Sequence, residues 1–209
     1  LYPGQPDLAY RAAYHIGFID NGTAKDLNAA LVAGIATALS TALNPHNPQA
    51  AWQQVIQSMK ATDPYRYREI PWVQRPIQRW LAFAQAAARR AKHRPKQLFH
   101  ILESEASPHY WWDAHFLIAV VFSLLELCRF DALAALHLAL DFGHDTDSAA
   151  QLMGAFAGAL HGPDIFPGTM QRQVVTQLKE DYGETFSEWT DLLMALPKTV
   201  KPNDMIRLE

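Results

Sequence analysis

Apolar residues recur at helical spacing along most of the chain. In KDLNAALVAGIATALS, Leu27, Leu31, Ile35 and Leu39 stand four apart, which predicts a helix that buries this row. PDLAYRAAYHIGF reads as a helix with Asp7 as its N-cap, and NPQAAWQQVIQSMK as one capped by Asn47. Pro48 then falls in the first turn, where its missing N–H costs nothing. The proline-flanked DPYRYREIPW breaks the pattern. A long helix is predicted from Val73 to about His93, and a shorter one from Pro95 to near Glu103, with Pro108 marking the next boundary. Tyr110 to His137 is almost continuously apolar and reads as two helices hinged near Arg129 to Asp131. Alternating, β-branched stretches bounded by turn dipeptides are missing. The pattern therefore predicts a single all-α domain over residues 1–209, with about eight to ten helices at ordinary helix length.

Composition narrows the class. The apolar fraction is 49% and the charged fraction 19%, which suits a globular chain with a substantial core. The 13-residue run from Phe116 to Cys128 carries Glu126 and is too short for a membrane span, which needs about 20 residues. A net charge of −3, with Lys and Arg scattered in short groups, argues against a nucleic-acid partner. The lone Cys128 cannot form an intramolecular disulfide and reads as a small core residue, which favours a reducing cytoplasm. The opening LYPGQPDLAY is not a signal peptide, and Leu1 in place of methionine suggests a chain trimmed or incomplete at its start.

Two carboxylates one residue apart interrupt LALDFGHDTDSAAQLMGAFAGALHG. The first helix here stops at Gly143, which suits the left-handed conformation of a helix end, and the next begins around Ser148 or Ala149. HDTDS is then a short connection leading into a helix N-terminus, whose free N–H groups favour carboxylates. Asp145, Asp147 and Ser148 can point the same way and present the oxygen set that hard cations such as Mg²⁺ or Ca²⁺ take. The plainer reading makes Asp147 an N-cap and Asp145 a solvated loop residue. Gly154, Gly158 and Gly162 follow at four-residue spacing. Each interior glycine costs about 0.5–1 kcal/mol relative to alanine, so the run predicts a central helix whose glycines pack tightly on a neighbour. Leucine at Gly158 is then expected to overpack.

The stretch LALDFGHDTDSAAQLMGAFAGALHGPDIFP resembles the carboxy-terminal signature of the ADP-ribosylglycohydrolases, in which a helix leads into Gly-x-Asp-Thr-Asp-Ser/Thr and a glycine-rich helix. HYWWDAHFLIAVVFSLLELCRFDALAALHLAL resembles the helix pair before that motif. LYPGQPDLAYRAAYHIGFIDNGTAKDLNAALVAGIATAL is similar to the segment that opens the family's second half. The resemblance implies a compact multi-helix fold and metal-assisted hydrolysis of the glycosidic bond between ADP-ribose and a protein or small-molecule acceptor. It implies Asp145, Asp147 and Ser148 as ligands of a pair of Mg²⁺ ions, or Mn²⁺ in their place. It also places Asp20, Asn21 and Gly22 in a substrate-binding loop, and Trp111, within SPHYWWDAHF, is suited to stacking an adenine.

The sequence departs from the family as well. No Thr-Asp-Asp motif, which supplies the family's other metal ligands, occurs anywhere in the chain, and His15 lies before the loop where many relatives place a histidine. Either the chain is the carboxy-terminal portion of a longer protein, its missing amino-terminal segment or a companion chain completing the site, or it is a non-catalytic scaffold that keeps the fold. The first reading expects the isolated chain to be inactive. A zinc site lacks any His-x-x-x-His pair. An Asp-x-Asp phosphatase or glycosyltransferase site would need a preceding β-strand, where this chain has an Ala/Leu-rich helix.

Overall fold

The computed structural model describes residues 2–17, 22–41, 47–106 and 113–195. Among these there are ten α-helices and no strand, so the all-α reading holds. The helices are α1 (Pro6–Ile16), α2 (Gly22–Thr41), α3 (Pro48–Ala61), α4 (Pro76–Ala91), α5 (Pro95–Glu105), α6 (Ala114–Leu127), α7 (Ala132–Phe142), α8 (Thr146–His161), α9 (Gly168–Tyr182) and α10 (Phe186–Ala195). The chain divides into two compact units, one spanning 2–162 and the other beginning at Pro163.

Several boundaries are set by the residues the sequence marks. Asn47 Oδ1 accepts from the Ala50 N–H at 2.9 Å with Pro48 in the first turn. Pro76 and Pro95 open α4 and α5, and Asp131 caps α7 through the Ala134 N–H at 3.0 Å. The hinge between α6 and α7 falls at Arg129 and Phe130, both in the left-handed region. Other boundaries move. α1 starts at Pro6 with Gln5 in the cap position, so Asp7 lies inside its first turn. α4 starts three residues after Val73, because Pro76 fits the first turn and disfavours helical geometry at the residue before it.

In the 2–162 unit one core collects Leu27, Trp52, Leu81, Leu98, Phe122 and Phe156 from six helices. Trp52 lies edge-on to Phe156 and tilted against Phe122 and Phe130. Cys128 is half-buried against this core, and burial pushes its thiol pKa up to about 11. The row Leu27, Leu31, Ile35, Leu39 is only partly buried, since Leu39 is 47% exposed. Steps of four residues advance by 400°, so the row drifts by 40° per step and leaves the buried face. Alanines fill the space instead: Ala29, Ala30, Ala33 and Ala38 are buried.

The glycine expectation for α8 fails. A Cβ added at Gly154 or Gly158 would meet nothing within 4 Å among the described residues, because α8 turns Ala149, Met153, Phe156 and Leu160 to the core and the glycines aside. The glycine under close packing is Gly34 in α2, where a Cβ would meet Met59 Sδ at 2.7 Å and Phe156 Cε1 at 3.1 Å. α8 itself is central, packing on α2, α3, α6 and α7.

Side-chain contacts fix the direction of the helices. Asp26, near the start of α2, bonds Arg75, just before α4. Trp80 meets His115 near the starts of α4 and α6, and Phe116, Leu117 and Val120 share a cavity with Asp145 and Ala149 at the start of α8. Further along, Gly34 lies against Phe156, and Phe122 against Phe156. Helices α2, α4, α6 and α8 therefore run in one direction, with their N-termini gathered at one end of the unit. Helices α1, α3, α5 and α7 return to that end, as the contacts Tyr14–Lys25, Thr62–Arg75 and Glu103–His144 require.

In the second unit, α9 and α10 contain no buried residue, and Gly183 ends α9 at φ +73°. Phe166, Met170, Val174, Val175 and Phe186 line an apolar cavity of about 340 Å³ there.

Candidate functional site

Asp145 and Asp147 stand where those N-termini gather. Gly143, at φ +86°, ends α7, and His144 continues the turn at φ +60°. α8 begins at Thr146, two residues earlier than the sequence suggests, so Asp147 and Ser148 lie in its first turn. Asp145 occupies the N-cap position, yet its side chain accepts no capping hydrogen bond. It is drawn instead to Asp147. The Asp147 carboxyl lies below its usual pKa, first because of its hydrogen bond with the Asp145 side chain and then because of the N–H groups of Asp147 and Ser148. Among the described residues neither aspartate forms an ion pair. A hydrogen bond between two acidic side chains needs a proton on one of them, and a hard cation can take the place of that proton.

The turn carrying these groups is braced from outside. His144 Nε2 lies 2.6 Å from Glu103 Oε1 on α5, and its ring meets Phe116 edge-on and tilts against Phe142. Behind it is a cavity of about 10 Å³ lined by Phe116, Val120, His144, Asp145 and Ala149, close to the lower limit for one water. The donor chemistry at Asp145, Asp147 and Ser148 fits a Mg²⁺-type ion, which keeps several waters beside one or two carboxylates. Among the described residues no group of three or more His, Cys, Asp or Glu side chains could hold a metal.

Gly22, of the predicted substrate loop, opens α2 at this same end, with φ +56° and nothing among the described residues within 4 Å of a Cβ built on it. Asp20, Asn21 and Trp111 lie outside the described residues.

The sequence reading missed a second set of groups at this end. Arg75 is 1% exposed and Asp26 7% exposed. Arg75 Nη2 donates to Asp26 Oδ1 at 2.6 Å, Nε donates to Oδ2 at 3.3 Å, and Nη1 donates to the Thr62 carbonyl. The Tyr10 hydroxyl donates to the same Asp26 carboxylate. Burial works against the Arg75 charge, but Asp26 outweighs it and holds the guanidinium pKa above its ordinary value. Burial, then Asp26, drives the Tyr10 pKa upward. Asp63, also buried, accepts the Arg68 N–H on Oδ2 at 2.6 Å, while Oδ1 has no hydrogen-bond partner among the described residues. The available signal was Asp26 itself, a carboxylate in a helix rich in alanine and leucine, which demands a partner once buried.

The all-α fold carries an acidic turn without a side-chain cap at the head of a central helix. The ADP-ribosylglycohydrolase family profile matches residues 1–201, and the chain belongs to that family. No curated protein and no solved structure gives a significant match. No helix among the described residues is long and apolar enough to cross a membrane.

Proposed function

We propose that this chain contributes Asp145, Asp147 and Ser148 to a site that hydrolyses the glycosidic bond between ADP-ribose and an acceptor. The observation that carries the reading is the placing of Asp145 at the N-cap position and Asp147 in the first turn of α8, with the Asp145 side chain free of capping. Asp147, its pKa lowered, stays ionised at neutral pH, and both carboxylates with the Ser148 hydroxyl present oxygen donors to a divalent cation. Such a cation, when bound, supplies Lewis acidity and a template for ribose hydroxyls. Glu103 and the rings of Phe116 and Phe142 hold His144, and through it the turn that sets Asp145. Gly22, with no side chain and no described atom within 4 Å of a Cβ built on it, leaves room for substrate on this reading. In the reaction the bond from the anomeric carbon to the acceptor breaks, water supplies its hydroxyl to that carbon, and the acceptor leaves with a proton. The remaining cation ligands come from polypeptide outside these 209 residues, since no Thr-Asp-Asp motif occurs here.

The non-catalytic scaffold is the second reading, favoured by the absence of a three-ligand cluster among the described residues. Thermal melts with and without Mg²⁺ separate the two. The catalytic reading expects Mg²⁺ to raise the Tm, Asp147→Ala to abolish the rise, and ADP-ribose release to appear when the upstream family segment is supplied and to vanish in Asp147→Ala. A Tm indifferent to Mg²⁺, with no release in the presence of that segment, would sink it.

A further inference from the structure

The loop between α3 and α4, residues Thr62 to Arg75, is tied closed but turns its apolar side chains outward. Arg75 grips the Thr62 carbonyl, so a single buried guanidinium joins the two ends of the loop. Inside it, Asp63 Oδ2 accepts the Arg68 N–H, and the Arg68 guanidinium reaches back to the Ala61 carbonyl. Two further turns close through Ile70 N–H to Tyr67 O at 3.1 Å and Val73 N–H to Ile70 O at 3.0 Å. A compact, self-bonded loop with joined ends is an Ω-type loop, a class often used for recognition.

Its outward face carries Tyr65, Tyr67, Ile70, Trp72 and Val73, each at least 37% exposed, with Trp72 reaching 85%. Tryptophan, tyrosine and arginine are the residues that dominate binding energy at protein interfaces. A side chain as open as Trp72 cannot enclose a small molecule, whose site buries most of the ligand in a concavity. It loses water contact only beneath a broad surface. The charges around it choose the sign of that surface. Arg66 and Arg68 lie on the loop, Arg11 is close enough to act on Tyr65, and Lys25 stands 4.5 Å from the centre of the Tyr14 ring, which packs 4.9 Å from Tyr65. Against them the loop exposes only Glu69, itself 3.8 Å from Arg66. The loop joins the end of α3 to the start of α4, which places it at the end of the unit that carries Asp145 and Asp147.

We propose that this loop is a preformed docking platform for a protein with an acidic surface, whose ADP-ribosyl group then reaches the head of α8. The proposal rests on the hydrolase reading and narrows it to protein substrates. Because the loop is already ordered by its own hydrogen bonds, docking costs little conformational entropy.

The test uses Trp72→Ala, Tyr67→Ala and Arg66→Glu in the full protein with Mg²⁺, at positions exposed among the described residues of this chain. The probes are an acidic protein mono-ADP-ribosylated on arginine, the same protein unmodified, low-molecular-weight ADP-ribosyl-arginine and a single-stranded oligonucleotide. Expected is a loss of about tenfold or more in affinity for the modified protein in Trp72→Ala, with affinity for ADP-ribosyl-arginine within about twofold of wild type. Arg66→Glu should weaken protein binding and flatten its salt dependence. Unchanged protein affinity, an equal loss for both ADP-ribosyl probes, or loop-dependent preference for the oligonucleotide overturns the platform and leaves the hydrolase reading standing. Loop-dependent binding of the acidic protein with no affinity for ADP-ribosyl-arginine keeps the platform and removes the hydrolase reading. If wild type binds none of the probes, both fall.

Discussion

Helices α2 and α8 run side by side in the same direction, and each carries acid at its head and glycine further along, but the two treat these residues oppositely. In α2 the Asp26 carboxylate is buried and taken up by Arg75 and Tyr10, and Gly34 is filled to contact by Met59 and Phe156. In α8 the carboxylates of Asp145 and Asp147 have only each other and nearby N–H groups, and Gly154 and Gly158 face open space. Residue type alone does not separate a structural acid from a site acid. What separates them is whether the fold itself supplies the counter-charge.

The largest effect is expected at the buried pair. Asp26→Ala strands the Arg75 guanidinium without its partner and should cost about 3–5 kcal/mol, read from the urea midpoint. A loss similar to that of an ordinary surface change would break the contrast. The glycines come next. Gly34→Ala drives a Cβ into Met59 and should destabilise by about 1–2 kcal/mol, the flexible thioether absorbing part of the overpacking. Gly158→Ala should instead stabilise by about 0.5–1 kcal/mol, because the space is open and alanine favours helix. Opposite signs in one set of melts would sharpen the comparison.

A smaller effect lies at the far end of α8. His161 is held below its ordinary pKa by burial, and its Nε2 has no hydrogen-bond partner among the described residues. A depressed folded pKa means the unfolded chain binds more protons between the two values, so stability is lost as pH falls from about 6.5 downward. His161→Gln should flatten the dependence of Tm on pH in that window, and an unchanged slope would remove His161 as its source. Asp147→Ala should change the metal-free Tm least, since the side chain is exposed and lies outside the core. A substantial drop in that Tm would move Asp147 into the structural class.

The all-α architecture was legible because helical periodicity, prolines at first turns and missing β alternation all agree. Helix ends were read within a few residues, and the Asp-x-Asp turn was found because it interrupts an apolar run. Other features depend on contacts between distant segments. The spacing of Gly154, Gly158 and Gly162 cannot say which side of α8 faces the core, so the packing expected there belongs to Gly34. The Asp26–Arg75 pair joins positions 49 residues apart, and no local pattern tells that Arg75 is the partner Asp26 needs. Exposed apolar residues in DPYRYREIPW read as a break in the pattern, and their outward presentation appears only once Arg75 closes the loop.

Arg75 also bears on how this unit comes apart. One guanidinium ties the head of α2, the end of α3 and the start of α4, so none of these three segments can open without releasing a charge from its counter-ion in a dry interior. Amide hydrogens of α2, α3 and α4 near the pair should therefore exchange with solvent together, at one common opening free energy, as a single cooperative block. The head of α8, which no such tie secures, should exchange earlier than that block.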